Sequence, residues 1–346
     1  MMKVAIIGAT GYGGVELTRI LQNHPKVSIH SVHTSSQQGL ALDQSYPHLQ
    51  GITSHDLEDV DLEKIAKEVD LVFFATPSGV ATELVPKVLE LGCKVIDLSG
   101  DYRLKDPELY KTWYQMEVKD TLGLKQAVYG LSEWIEEDLT EVQLISNPGC
   151  FPTAVLLGLA PIMKTDFIDE TSIIIDAKTG VSGAGRGLSR ASHFSETNEN
   201  TKIYKVNQHQ HTPEIEQMLA KWHDQVAPVT FSTHLVPMTR GILATMYVHV
   251  KKPITTHELL ELYQESYQDC YFVRIREQGV FPSTKEVYGS NYCDIGLDVD
   301  ERTNRITIVS VIDNLMKGAA GQAVQNMNKM FGFAEQTGLE FIPIYP

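Results

Sequence analysis

The feature that most constrains the fold is an unbroken apolar run, Val4-Ala5-Ile6-Ile7, that leads straight into Gly8-Ala9-Thr10-Gly11-Tyr12-Gly13-Gly14. A strand that is apolar at every residue has to be covered on both faces, as in a parallel sheet flanked by helices. Glycines directly after it permit a tight turn into a helix. Val15 to Gln22, with Val15, Leu17, Ile20 and Leu21 apolar, predicts that helix, and Pro25 lies just past its end. The alternation continues with strands at Val27 to Val32, Leu71 to Ala75 and Lys94 to Leu98. The turn Thr76-Pro77-Ser78-Gly79 and a helix from Val80 to Leu91 separate the last two. Such alternation predicts an α/β, Rossmann-type doubly wound parallel sheet.

Farther along the pattern changes. A strand at Val142 to Ser146 leads through Asn147-Pro148-Gly149-Cys150 into a helix over Phe151 to Leu159. Strands then follow at Ser172 to Ala177, Phe231 to Val236, Gly241 to Val250, Tyr271 to Arg276, Tyr292 to Val299 and Arg305 to Ile312. Their longer connections predict a second, α+β domain on a mixed, largely antiparallel sheet, closed by a helix over Lys317 to Phe331. A chain of 346 residues fits about two domains. The expected boundaries are 1–148, 149–316 and a C-terminal segment, 317–346.

The balance of 44 acidic against 29 basic residues, net -15, argues against a nucleic-acid binder, which needs a basic face. One local cation can still hold a small anion. Four cysteines without a CxxC pair point away from zinc ribbons and towards reduced thiols in the cytoplasm. Neither a signal-peptide pattern nor a membrane-length apolar run is present, so no membrane association is expected.

The glycine turn follows a strand and opens a helix, the setting a dinucleotide fingerprint requires, with GxxGxxG in place of GxGxxG. Its backbone can approach a pyrophosphate, and the helix start offers N–H groups to it. A plain glycine turn is the alternative. After the second strand comes His33-Thr34-Ser35-Ser36, with no carboxylate to hold a ribose 2′-hydroxyl. Hydroxyls tolerate a 2′-phosphate, which favours NADP.

Cys150 sits between a strand and a helix, with Pro152 suited to the first helical turn. Orphan N–H groups there stabilise a thiolate, the nucleophilic form. Cys93, Cys270 and Cys293 lack that setting and read as structural. Gln208-His209-Gln210-His211-Thr212-Pro213-Glu214 supplies imidazoles and a carboxylate, with Thr212 expected as N-cap and Pro213 as first helical residue. No further Cys or His cluster lies near, so no metal is expected. The Gly-rich Lys178 to Arg186 segment can present N–H groups and a cation to an anion. Arg103, just past a strand end, could clamp a carboxylate or phosphate.

These segments together resemble the N-acetyl-gamma-glutamyl-phosphate reductases over nearly the whole chain. The similarity rests on GATGYGG, DLSGDYRLKD around Arg103, AVYGLSE over 127–133, SNPGCFPT around Cys150, DAKTGVSGAGR ending at Arg186, HQHTPEI from His209, and DNLMKGAAGQAVQN near the end. The wider family, with the same two-domain plan, includes aspartate-semialdehyde dehydrogenase. Two departures stand out. Gln210 replaces an Arg between the histidines, removing a cation from the substrate side, and Gly100 and Tyr102 stand where Ala and Phe are common.

The resemblance implies that Cys150 attacks an acyl phosphate, expels phosphate and forms a thioester that NADPH reduces to an aldehyde. His211, with Glu214 at i, i+3, becomes the candidate base and His209 a substrate contact. Spacing alone leaves the reverse assignment open. Arg103, Asn147, Ser182 and Arg186 are implied to bind substrate. Gly8, Thr10, Gly11, Tyr12, Gly13, Gly14, Thr34, Ser35, Ser36, Thr76, Pro77, Ser99, Gly183 and Asn314 are implied to bind NADP. The second domain would carry catalysis and assembly into a homodimer or homotetramer, and the C-terminal helix would return to the first. Competing readings are a reductase of aspartyl phosphate or carrier-bound aminoadipyl phosphate, an aldehyde dehydrogenase that works without phosphate, and an inactive NADP sensor. An acidic carrier would be repelled by a chain at -15.

Overall fold

The computed structural model describes residues 1–346. The chain divides into two compact units, 1–149 with 319–340, and 150–318 with 341–346. No helix is long and apolar enough to cross a membrane.

The first unit is built on β1 (Met2–Ile7), β2 (Val27–His33), β3 (Leu57–Glu58), β4 (Leu71–Phe74), β5 (Lys94–Asp97), β6 (Val128–Tyr129) and β7 (Leu144–Ser146). They form a seven-stranded sheet in the order β3-β2-β1-β4-β5-β7-β6. Every neighbouring pair is parallel. Val4 to Ile7 and all of β4 are buried, as strands covered on both faces require. The strand order reverses between β1 and β4, where open parallel sheets take ligands beyond their C-terminal strand ends.

The helix expected over 317–331 begins instead as a π turn, Met316–Ala320, and becomes α-helical at Gly321–Met330. That last helix packs beside the helix Tyr12–Leu21. Its buried face includes Gln322, Gln325, Asn326 and Asn328, so hydrogen bonds fix its place. Asn326 Nδ2 donates to Gly130 O at 2.7 Å, and Ser132 Oγ donates to Asn326 Oδ1 at 2.6 Å.

The second unit holds β8 (Ile174–Thr179), β9 (Lys202–Tyr204), β10 (Thr230–Leu235), β11 (Ile242–His249), β12 (Val273–Ile275), β13 (Cys293–Asp300) and β14 (Arg305–Ile312). Their order is β12-β13-β14-β11-β8-β10-β9. The sheet is mixed: β8–β10 and β12–β13 are parallel, the other neighbours antiparallel. Burial alternates strictly along β11, so one face meets the core.

The helix Cys150–Met163 covers that face and is buried from Phe151 onward. Gly158 lets it sit close on β11, since a Cβ there would lie 2.5 Å from Met246 Cε. The helix runs past the expected end at Leu159 and contains Pro161. Proline has no N–H, so the Leu157 carbonyl loses its helical donor. The Tyr267 hydroxyl donates to that carbonyl instead. Tyr263 donates to the next one, Gly158 O, at 2.5 Å.

Candidate active site

In the first unit the glycine turn stands at the switch point. Gly8 has φ +90 and its N–H donates to His33 O at 2.9 Å. A Cβ on Gly8 would lie 2.4 Å from Ala75 O, and one on Gly14 would lie 2.4 Å from Gly8 O. These glycines are needed by the protein itself. Gly11 and Gly13 differ, because their nearest neighbours to an added Cβ are 3.5 Å and 3.9 Å away. The bare backbone at those two positions leaves room that the protein does not use. Gly11 precedes the helix Tyr12–Leu21 without a side-chain cap, so no side chain competes with an anion for its first N–H groups. These features fit a dinucleotide pyrophosphate.

Beyond β2, Thr34 Oγ1 lies 3.3 Å from Thr10 Oγ1 and 3.4 Å from Ser36 Oγ, forming a chain of hydroxyls. Ser35 is exposed beside them. Glu58, on a strand too short to leave a pattern, stands opposite His33 in the register. Lys64 neutralises it at 2.9 Å and holds its carboxyl below the usual range. Thr76 and Pro77 follow β4, half-buried and exposed respectively.

The segment after β5 is a buried polar knot. Ser99 donates from N and Oγ to the Asp97 carboxylate at 2.9 and 2.8 Å, and its Oγ accepts from Asp101 N at 3.1 Å. Burial first, and then the neighbouring charge of Asp101, push Asp97 up to about 7. Asp101 accepts from Gly79 N, Thr82 N and the Tyr110 hydroxyl. Arg103 is 7% exposed. Its Nε donates to Asn147 O at 2.9 Å and its Nη2 to Leu98 O at 2.7 Å. Asn147 is fully buried, with Nδ2 on Ala319 O and Oδ1 accepting from Asn326. The structure thus uses Ser99, Arg103 and Asn147 to hold the strand end that leads to Cys150. Gly100 also has a reason here: a Cβ would lie 2.3 Å from the Tyr114 ring, which stacks on Tyr110.

In the second unit, Cys150 is the first residue of its helix and partly accessible. Phe151, His209, His211, Tyr204 and Phe231 gather at that helix start. His209 meets Phe151 at 5.3 Å, Phe231 at 5.5 Å, Tyr204 at 5.7 Å and His211 at 4.7 Å between ring centroids. Burial, with a smaller push from Lys205, takes His209 down to about 3. Its Nδ1 accepts from His211 N at 3.1 Å, which leaves the proton of the neutral ring on Nε2. His211 is the N-cap of the helix Thr212–Trp222, so Thr212 is the first helical residue and not the cap. Glu214 is fully buried in that first turn.

Sequence reasoning missed Tyr204 and Lys205. Burial raises the Tyr204 phenol, and the charge of Cys150 adds to the rise, while the ring meets His209 at 5.7 Å. Lys205, at φ +47, bonds through Nζ to Gln210 Oε1. A cation therefore stays near His209 although Gln210 itself carries none. Ser182 is buried, and its Oγ accepts from Asn314 Nδ2 at 3.0 Å. Asn314 Oδ1 accepts from Gly241 N at 2.7 Å. Gly183 lies in the same short turn, and Arg186 is exposed beyond it. Gly183 and Asn314 belong to the second unit, the glycine turn to the first. No group of three or more His, Cys, Asp or Glu side chains is arranged to hold a metal ion.

Two family profiles match the chain. Residues 3–142 match the semialdehyde dehydrogenase NAD binding domain, and 150–314 match the semialdehyde dehydrogenase dimerisation domain. An N-acetyl-gamma-glutamyl-phosphate reductase of Geobacillus sp. (strain WCH70) is 59% identical over 345 residues, covering 100% of both chains. One from Bacillus anthracis is 56% identical over 99% of this chain and 100% of its own. Among solved structures, aspartate semialdehyde dehydrogenase II of Vibrio cholerae, complexed with ASA, matches at TM-score 0.71 and 18% identity, covering 96% of this chain and 98% of that one. Aspartate semialdehyde dehydrogenase of Candida albicans, with NADP, matches at TM-score 0.70 and 17% identity over 96% and 99%. These two likenesses bear on the fold.

Proposed function

Because the chain belongs to the semialdehyde dehydrogenase family, among its N-acetyl-gamma-glutamyl-phosphate reductases, we propose that it reduces N-acetyl-gamma-glutamyl phosphate to N-acetylglutamate 5-semialdehyde and phosphate in arginine biosynthesis. The observation that carries this reading is Cys150 at a helix start, inside a shell of histidine and aromatic rings.

The Cys150 sulfur attacks the acyl carbonyl, the carbon–oxygen bond to phosphate breaks, and a thioester remains on the protein. His211 takes the thiol proton and returns a proton as the aldehyde leaves. His209 is unsuited to that work, since burial keeps it neutral and its Nδ1 is engaged by the His211 amide. Its Nε2–H is free to donate to an oxygen and so polarise the carbonyl. Glu214 orients His211 from the same helical turn. Ser182 and Arg186 receive the phosphate, and Lys205 is a further cation for an anionic group. Arg103 and Asn147 act by fixing the turn into Cys150.

NADP is the proposed cofactor, held by the backbone of Gly8 to Gly14 and, at its 2′-phosphate, by Thr34, Ser35 and Ser36. When bound as NADPH it supplies the hydride. The description of the matched second domain supports a homo-oligomer built through that unit. The absence of any disulfide among the four cysteines fits a cytoplasmic protein.

The test is phosphate-dependent reduction of NADP with N-acetylglutamate semialdehyde and aspartate semialdehyde side by side. Turnover of the acetylated substrate alone, and only with phosphate, supports the proposal. Turnover with neither substrate, or without phosphate, overturns it.

A further inference from the structure

Gly318 is a glycine for which the backbone gives no reason. It lies in the π turn Met316–Ala320 at a φ that any residue adopts, and helical propensity there would favour alanine. π turns of this kind are often found at functional sites. Gly318 N donates to Asp313 O at 3.0 Å, the bond that makes the turn wide. What Gly318 faces is the nucleophile: a Cβ at this position would lie 2.8 Å from Cys150 Cβ and 3.3 Å from Cys150 Cα.

Both sides of this contact are held, so a shift of either is costly. The turn is pinned at its start by Asp313, whose buried carboxylate accepts from Leu315 N at 2.8 Å, Met316 N at 3.1 Å and Gly289 N at 2.8 Å. Asn314 adds bonds to Ser182 and Gly241. On the other side, Cys150 heads a helix buried over its whole remaining length. A third neighbour, Ile312 Cδ1, would lie 3.3 Å from the added carbon and closes the seat from behind.

We infer that Gly318 is a positioning residue, which sets where the Cys150 side chain sits and acts on catalysis only through it. The inference rests on the reading of Cys150 as nucleophile. An added methyl at 318 must push the Cys150 Cβ away, and misplacing a reacting group by about 1 Å can cost on the order of 100-fold in rate.

The test compares wild type, Gly318→Ala, Cys150→Ala and the double variant Gly318→Ala/Ile312→Val. Three quantities are read: kcat and KM for the phosphate-dependent reaction, the pH profile of Cys150 alkylation by iodoacetamide followed on its peptide, and the melting temperature. Gly318→Ala should lower kcat by about 100-fold with KM within about threefold. It should also shift the alkylation profile and lower the melting temperature by about 2–12 °C. The double variant, which opens space behind residue 318, should recover part of kcat. A folded Gly318→Ala enzyme with wild-type kcat and alkylation profile overturns the inference. If Gly318→Ala does not fold, the double variant is read by the same measures, and wild-type values overturn it equally. Full turnover by Cys150→Ala would instead sink the nucleophile reading, which keeps the two failures distinct.

Discussion

Replacing Arg103 by methionine separates two roles that the sequence could not. As a substrate clamp, Arg103 would be dispensable to the fold. In the structure it is 7% exposed and bonds Asn147 O at 2.9 Å and Leu98 O at 2.7 Å. Methionine fills similar volume but donates nothing, so one buried and one partly buried carbonyl lose a charged donor. Each such bond contributes about 1.5–3 kcal/mol, giving a loss of about 3–6 kcal/mol. Asp97, which Arg103 helps keep ionised, would also be driven further towards its neutral form. At ~2–4 °C per kcal/mol for a domain of this size, melting should fall by about 6–24 °C. The assay is thermal unfolding of the purified variant, paired with kinetics well below its melting point, where kcat should also fall because the turn into Cys150 has lost its brace. Arg103→Lys, able to reach one carbonyl, should fall between. A melting point within about 2 °C of wild type, together with a tenfold or greater rise in KM, would refute the bracing role.

Other substitutions give further expectations. His209 is held neutral down to about 3 against an ordinary 6.5, so as pH falls below 6.5 the unfolded chain gains a proton that the folded one refuses. Stability is lost in that window at about 1.4 kcal/mol per pH unit. His209→Gln should lose about 2 kcal/mol less than wild type between pH 7 and 5 in urea unfolding, and equal losses would contradict the assignment. Tyr267→Phe removes the donor to Leu157 O and should cost about 1–3 kcal/mol in urea with kcat unchanged. Gly13→Ala should keep the melting temperature and weaken NADP binding, measured by calorimetry, by about tenfold or more, since the protein leaves that space open. Gly14→Ala, 2.4 Å from Gly8 O, should lower the melting temperature as well. Equal behaviour of the two would dissolve the distinction.

Much of the fold follows from local pattern. The run Val4 to Ile7 and the glycines after it led directly to β1 and the switch-point turn, because burial on both faces leaves an unbroken apolar signature. The two-residue strands β3 and β6 carry too little pattern to be read. The helix Cys150–Met163 outruns its expected end because the donor that rescues Leu157 O sits on Tyr267, far along the chain. The same distance problem governs the site. Cys150 and the histidines were legible from their turn and cap chemistry, whereas the brace from Arg103 depends on Asn147 in another segment. Tyr204 is an isolated tyrosine at a strand end, and only the tertiary fold brings it against His209. The π turn depends on the buried carboxylate of Asp313, which no periodicity marks.

The division of the chain sets an order on its making. The first unit takes residues 1–149 and then waits for 319–340, while the second is complete in one run, 150–318, except for 341–346. A ribosome adds ~5–20 residues per second, so the first sheet stands for roughly 10–30 s without the helix Gly321–Met330. During that interval Gly130 O and Ser132 lack the Asn326 bonds that later hold them. The seven-stranded sheet of the second unit, all of it within 150–318, can close in the meantime. The dinucleotide-binding unit therefore waits longest for its missing helix, and nascent chains stalled before residue 319 should carry a protease-sensitive first sheet beside a protected second one.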